Sequence, residues 1–292
     1  MKGVFWRQFL RWAVLNVPLW LEPTIMASWS LIFLLWGPGR RGVMQNLRAI
    51  LPRSTAIANF CRTYLVFWNY AWTIADNVRF KELQTVPDWE FVGWHHFESM
   101  LSRDGGAILL TAHMGSYDLG AHVFSTTSDR RITVVRAPEE DAETRRYEEH
   151  AIDQQQGRGL RIEFNTKTSE LALDLLHAIQ KGEIVAIQGD RVTPGIAAIP
   201  ATLFGKQARV PAGPFALAMA ARVPIYPVFV IRQGRRQYRL VNCAPIEVVR
   251  RSRNRDDDFA QAVGVWTREL ESVIAANWFQ WFTFEPFAEE LA

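Results

Sequence analysis

The feature that most restricts the fold of this chain is a series of compact apolar runs separated by helical stretches. GAILLT (106–111), RITVVRA (131–137), LRIEF (160–164), EIVAIQ (183–188), IYPVFVIR (225–232) and QYRLVNC (237–243) read as strands, most of them buried. WEFV (89–92) is a further short strand, followed by a helix over GWHHFESMLSR (93–103). SELALDLLHAIQKG (169–182) is helical, with Ser169 as its cap and Gly182 as its stop. A last helix is expected over about 257–282, where Phe259, Val263, Trp266, Leu270 and Ile274 keep one face apolar. Strands alternating with helices predict an α/β fold with a mainly parallel central sheet and right-handed crossovers. No internal repeat, low-complexity linker or composition boundary divides the chain, so one domain with a helical N-terminal addition is expected.

That addition is apolar. Residues 13–36 are interrupted by Asn16, Pro18, Glu22 and Pro23, and the unbroken part from Pro23 to Trp36 is shorter than the roughly 20 residues a spanning helix needs. No small-residue cleavage site follows, so a signal peptide is not expected. The segment is expected to lie in, or dip into, the membrane interface, anchored by Trp12, Trp20, Trp29 and Trp36; a buried core helix and a single span are the alternatives. Residues 43–80 read as helix broken by a Pro-Arg-Ser turn. The aromatics Phe60, Tyr64, Phe67, Trp68, Tyr70 and Trp72 cover more than one face and predict a helix sandwiched between layers.

Composition narrows the partners. Twelve Trp and 18 Phe among 292 residues suit a protein at a membrane surface. Cys61 and Cys243 stand far apart and support neither a disulfide framework nor a thiolate metal site. Net charge is only +3, but residues 1–53 and 222–255 are strongly basic while the tail from Asp256 is acidic. The second basic stretch holds Arg222, Arg232, Arg235, Arg236, Arg239, Arg250, Arg251, Arg253 and Arg255. Such segments face anionic lipid, an acidic partner or nucleic acid; no recognised nucleic-acid motif accompanies them, so nucleic acid is not an expected partner.

In α/β sheets ligands gather at the carboxyl ends of strands. GAILLT runs into TAHMGSYDLG, placing His113 just past a buried strand and Asp118 near the start of the next helix. A corner loosened by Gly115 can bring the two together, with His113 as general base and Asp118 fixing its tautomer. Free N–H groups at the helix start could stabilise an oxyanion. Plainer roles exist for both: a His satisfied by a carbonyl, an Asp capping a helix. A serine hydrolase elbow is absent around Ser116. No His-Glu-x-x-His occurs, His95 and His96 are adjacent, and His122, His150 and His177 read as ordinary surface or helix residues. No metal and no cofactor is expected.

The ordered set VGWHHFESML, GAILLTAHMGSYDLG, VVRAP, IQGDR and VPAGPFALAMAARVPIYPVFV resembles the glycerolipid and lysophospholipid acyltransferase superfamily, and within it the lipid A late acyltransferase branch. The resemblance implies that His113 deprotonates an acceptor hydroxyl, which attacks an acyl thioester without a covalent acyl-enzyme, while Asp118 orients the ring. Gly115 and Ser116 lie inside GAILLTAHMGSYDLG, the family's first block, and would line the substrate site. Arg136 matches the Arg of the second and Asp190 the acidic residue of the third; Arg191 beside it could pair with a phosphate. Gly213 and the Pro224–Pro227 stretch match the last blocks. The implied partners are an acyl carrier protein or acyl-CoA donor, a lipid or glycolipid acceptor and the cytoplasmic face of the inner membrane. Residues 1–42 would then be the anchoring segment and 43–292 the acyltransferase domain, with the arginines of 222–255 docking an acidic carrier. Many lipid A enzymes have Glu at the position of Asp118, an Asp-rich turn in place of Gly189-Asp190-Arg191, and basic residues after the C-terminal Trp-rich stretch. These departures leave lipid A precursor, lysophospholipid, ornithine-type lipid and a pigment or polyene head group open as acceptors. The rival from another class is a non-catalytic membrane-binding module.

Overall fold

A computed structural model describes residues 4–85, 87–137, 159–165, 169–193 and 195–288. Seven strands form its centre: β1 (Asp88–Val92), β2 (Ala107–Thr111), β3 (Ile132–Arg136), β4 (Leu160–Phe164), β5 (Ile184–Gln188), β8 (Ile225–Gly234) and β9 (Gln237–Asn242). They make one sheet in the order β1-β9-β8-β2-β5-β3-β4. Every neighbouring pair is parallel except the β8–β9 hairpin, so the expected mainly parallel α/β sheet is what forms.

Both faces of the central strands β2 and β8 are covered, which is why they read as continuous apolar runs, whereas β9 alternates and β1 at the edge is largely exposed. On β2, Ile108 and Leu110 point to one core and Ala107 and Leu109 to the other. The first core receives α7 (Ser169–Gln180), α8 (Gly213–Ala221) and α9 (Arg255–Asn277) through Ile179, Phe215, Val263, Trp266 and Leu270. The second receives α5 (Trp94–Ser102) and α6 (Tyr117–Thr127) through Phe97, Met100, Leu119 and Phe124. Each such side chain, once buried, contributes about 1.5–3 kcal/mol by removal from water. Leu110 is wholly buried; truncating it to Ala would cost about 2–5 kcal/mol.

Four helices precede the sheet: α1 (Val4–Asn16), α2 (Glu22–Trp36), α3 (Arg40–Ile50) and α4 (Ala56–Leu83). The break expected at the Pro-Arg-Ser turn separates α3 from α4, and Thr55 caps α4 by accepting from Ala58 N–H. The sandwiching predicted from the aromatics of α4 is present. Val66 packs with Val43, Leu47 and Phe282 on one side, and Ala71, Trp72 and Ala75 pack with Val14 and Met26 on the other. Asn16–Pro18 and Pro23 divide the apolar N-terminal stretch into two helices. Among the described residues no helix is long and apolar enough to cross a membrane, so a spanning anchor finds no support. Instead α1 and α2 lie on α4, and Glu22, only 3% exposed, pairs with Arg79. Burial pushes the Glu22 carboxyl upward, against the pull of Arg79 and Arg235. Next to this pair, Asp76 accepts from Arg232 Nε at 3.0 Å and from the Tyr238 hydroxyl at 2.7 Å, which ties the helical layer to the β8–β9 hairpin.

Three elements differ from the sequence reading. An antiparallel hairpin, β6 (Ala198–Leu203) and β7 (Lys206–Pro211), carries exposed polar positions and lacks a compact apolar run. Helix α8 follows it, where the sequence shows only a family block. The last helix begins at Arg255, ends at Asn277 and gives way to a 3₁₀ turn, Trp278–Gln280. His150 lies outside the described residues.

Candidate active site

The site is assembled at the carboxyl ends of β2, β5 and β3. After Thr111 the chain passes the buried Ala112 to His113 and then turns at Gly115, whose φ is +50°. A Cβ there would stand 1.8 Å from the Val230 carbonyl oxygen, so only glycine lets this loop cross β8. The loop is held from above by the end of the chain: Phe282 N–H donates to the His113 carbonyl at 2.8 Å and Gly115 N–H to the Gln280 carbonyl at 3.0 Å. Gln280 in turn brackets Arg232, accepting from its N–H at 2.8 Å and donating to its carbonyl at 2.7 Å.

His113 meets a carboxylate here, and it is Asp190 rather than Asp118. The Nδ1 atom lies 2.8 Å from Asp190 Oδ1, and the His113 backbone N–H donates to Oδ2 at 3.1 Å. Oδ2 also accepts from the Trp281 indole at 2.9 Å. The loop carrying Asp190 is fixed one residue earlier, where Trp266 Nε1 donates to the Gly189 carbonyl at 3.0 Å. Burial alone would push the Asp190 carboxyl up. The His113 ring, the Trp281 indole and the His113 N–H outweigh it and hold the group below the ordinary carboxylate value. Asp190 is 4% exposed, whereas the His113 side chain keeps 17% of its surface open.

The other ring nitrogen faces Arg191, whose Nη2 stands 3.2 Å from Nε2. A guanidinium has donors and no acceptor, so Nε2 presents its lone pair to it and Nδ1 carries the proton donated to Asp190. This is the tautomer in which a histidine can take a proton at Nε2.

Asp118 occupies the first turn of α6, a favourable place for a negative charge, and pairs with Arg136 at the end of β3. Burial works against its ionised form. Arg136 first, then Lys81 and His113, hold its carboxyl below the usual range. The hydrogen-bonding partner of Asp118 is therefore the guanidinium; in place of the expected Asp118–His113 contact, the carboxylate on the His113 ring is Asp190. Between them Tyr117 sets its ring edge-on to His113 at 5.8 Å. Burial, reinforced by Asp118, pushes its phenol pKa up, so it stays neutral.

The remaining expected residues are distributed as follows. Ser116 is fully buried and hydrogen-bonded to Asn77 of α4. Gly213 opens α8, with nothing within 4 Å of a Cβ placed on it. Pro224 precedes β8 and Pro227 lies within it, paired with Leu110, so both stand on the amino side of Val230, where the His113–Gly115 loop crosses the strand. A narrow cleft between α6 and the sheet is lined by Leu109, Phe124, Val134, Ala186, Val228 and Val230, with Tyr117, Asp118, Arg136 and Gln188 also on its wall. Among the described residues no cluster of His, Cys, Asp or Glu could hold a metal ion. Trp281, Gln280, Asn77 and Tyr117 were not singled out from the sequence. The signal available for the first two was the Trp-rich stretch Asn277–Phe282, which stands far from His113 along the chain.

The family model for bacterial lipid A biosynthesis acyltransferases matches residues 17–287. The match takes in nearly the whole chain, which therefore belongs to that family and is an acyltransferase, not a non-catalytic membrane module. No curated protein matches the chain.

Proposed function

We propose that this member of the bacterial lipid A biosynthesis acyltransferase family moves a fatty acyl group from a thioester to a hydroxyl of a lipid or glycolipid acceptor, with His113 as general base and Asp190 as the carboxylate that orients it. The observation that carries the reading is the 2.8 Å pairing of His113 Nδ1 with a buried, ionised Asp190. Nε2 takes the proton of the acceptor hydroxyl as its oxygen attacks the thioester carbonyl carbon. The tetrahedral intermediate then collapses, the C–S bond breaks, and the departing thiolate receives that proton from the imidazolium. Asp190 stays ionised throughout and stabilises the transient imidazolium. Asp118 acts on a different partner. It fixes Arg136 beside the cleft, where a cation can meet developing or resident negative charge on the substrates.

The donor is a thioester of acyl carrier protein or of CoA. A single docking patch made of all the arginines in 222–255 is not supported by their placement. Arg232, Arg235 and Arg239 pair with Asp76, Glu22 and Glu90 near the site end of the sheet. Arg250, Arg251 and Arg253 are exposed and follow Ile246, which bridges Ile225 at the amino end of β8. An acidic carrier would engage one group or the other.

Membrane association belongs to the outer faces of α1 and α2. Trp12, Trp20 and Trp36 are 57%, 79% and 75% exposed, and Arg11, Arg40 and Arg41 flank them. This is the pattern of a layer seated in the interface, here on the cytoplasmic face of the inner membrane. Replacing the three tryptophans by Ser should release the protein from anionic vesicles; deleting the segment is a poorer test, because it would also strip Glu22 from the buried Arg79.

The experiment for the reaction is a thioester-consumption assay on His113→Ala, checked for native folding by circular dichroism. A loss of about 10²–10⁴-fold or more is expected for removal of a positioned base; a wild-type rate in the folded variant would sink the mechanism.

A further inference from the structure

The Arg191 guanidinium occupies a position that the mechanism needs for something else. A hydroxyl about to lose its proton to His113 must approach Nε2 to about 2.6–3.2 Å, and in the structure Arg191 Nη2 already stands 3.2 Å from that atom. One lone pair cannot serve both donors. Arg191 also lacks what three other arginines around the site possess. Arg136, Arg79 and Arg232 each pair with a carboxylate, whereas Arg191, among the described residues, has none. The adjacent Asp190 is turned to other donors, Oδ1 to His113 Nδ1 and Oδ2 to the Trp281 indole and the His113 N–H. A guanidinium held only by a neutral ring nitrogen has most of its five donors unspent.

We infer that Arg191 is a cap on His113 that a phosphate group of the acceptor draws away, so that the base is uncovered only when such an acceptor is bound. The inference rests on His113 being the base. Its energetic sense is simple: a bidentate, charge-assisted pair with phosphate is much stronger than one N–H···N contact to imidazole. Residues 191–193 carry neither helix nor strand, so the side chain can swing without breaking a backbone ladder. The acceptor is the source of the phosphate rather than the donor, because the phosphate of a pantetheine thioester lies a whole flexible arm away from the reacting carbonyl. Arg191 thereby selects acceptors with a phosphate near the hydroxyl to be acylated.

The test uses the full-length enzyme in detergent micelles with ¹⁵N-labelled histidine, and the His113 Nε2 resonance assigned by its loss in His113→Asn. Methyl phosphate serves as the acceptor-type probe and 4′-phosphopantetheine as the donor-type probe. The Nε2 signal of Arg191→Gln should differ from wild type with no ligand present. Methyl phosphate should move the wild-type signal toward the Arg191→Gln position and leave the variant's own signal in place. In turnover, Arg191→Gln should raise the KM for a phosphorylated acceptor about 10–100-fold, the worth of one or two hydrogen bonds to a charged group. Arg191→Lys should recover part of that loss, and Arg191→Gln should use a phosphate-free acceptor faster than wild type does, because the base is then permanently uncovered. Identical Nε2 signals in wild type and Arg191→Gln would overturn the cap. A shift with 4′-phosphopantetheine but not with methyl phosphate would overturn the assignment to the acceptor. Equal losses on phosphorylated and neutral acceptors would overturn the selectivity. Full activity of His113→Ala would remove the base instead, an outcome visible in turnover while the Nε2 signal still reports whether Arg191 sits on the ring.

Discussion

Two carboxylates reach the same end of the sheet, one from the loop after β5 and one from the first turn of α6, and their surroundings give them different work. Asp190 meets only hydrogen-bond donors that belong to the site: the His113 ring and N–H, and the Trp281 indole. Asp118 meets a guanidinium, Arg136, with Lys81 and His113 further off. Both are held ionised against the cost of burial, Asp190 chiefly by His113 and Asp118 chiefly by Arg136. A carboxylate five residues from a histidine is close along the chain, yet a stronger local cation claims it. The one that arrives 77 residues later finds the ring nitrogen free to donate. Proximity in sequence fixes which groups share a neighbourhood; the competition among donors fixes which of them pair.

This division of work can be challenged by finding the residue through which each carboxylate acts. If Asp190 works only by orienting and stabilising the ring, His113→Ala/Asp190→Asn should be no slower than His113→Ala alone, although each single change costs about 10³–10⁴-fold. Additive losses in steady-state kcat would show that Asp190 has a role of its own. For Asp118 the sharper readout is stability. Asp118→Ala leaves a half-buried Arg136 without its carboxylate and should cost about 1–3 kcal/mol in urea unfolding, less than a fully buried pair because roughly a quarter of each side chain is open to water. Asp118→Ala/Arg136→Leu should regain part of it. The pH dependence follows from the sign of the shifts. Both carboxyls lie below their ordinary values in the folded protein, so their contribution is present above the ordinary carboxylate range and is lost as pH falls through the folded values. Asp118→Asn should flatten that acid limb of stability. The smallest effect belongs to Trp281→Phe, which removes one of three donors to Asp190 while keeping the ring; a severalfold fall in kcat with unchanged KM is expected, the scale of one hydrogen bond.

Much of the frame was legible because the centre of the sheet is buried on both sides. Ile108, Leu109 and Leu110 leave no alternation to misread, and of the residues named at the strand ends, His113 meets Asp190 and Arg191 while Asp118 meets Arg136. The pairing inside it was not legible. Whether His113 binds Asp118 or Asp190 depends on Arg136 reaching across from β3, and on Trp281 and Gln280 closing the site from the far end of the chain, and none of these distances is written in local periodicity. The β6–β7 hairpin escaped because its exposed alternate positions weaken the apolar signal that marked the other strands. The N-terminal helices were read from hydropathy as a lipid-facing segment. Hydropathy does not say that one side of α2 would be spent on α4 and on the Glu22–Arg79 pair.

Whether Asp190 is the carboxylate that serves the base is decided by comparing kcat for Asp190→Asn and Asp118→Asn on one thioester donor and one acceptor, both variants first shown to be folded. Asparagine keeps the shape of each side chain and removes its charge, so the two differ only in which partner loses a carboxylate. Asp190→Asn should fall at least about 10²-fold below Asp118→Asn, the margin expected when a base loses the group that fixes its tautomer. Equal rates, or a slower Asp118→Asn, would return the orienting role to Asp118 and overturn the pairing on which the mechanism stands.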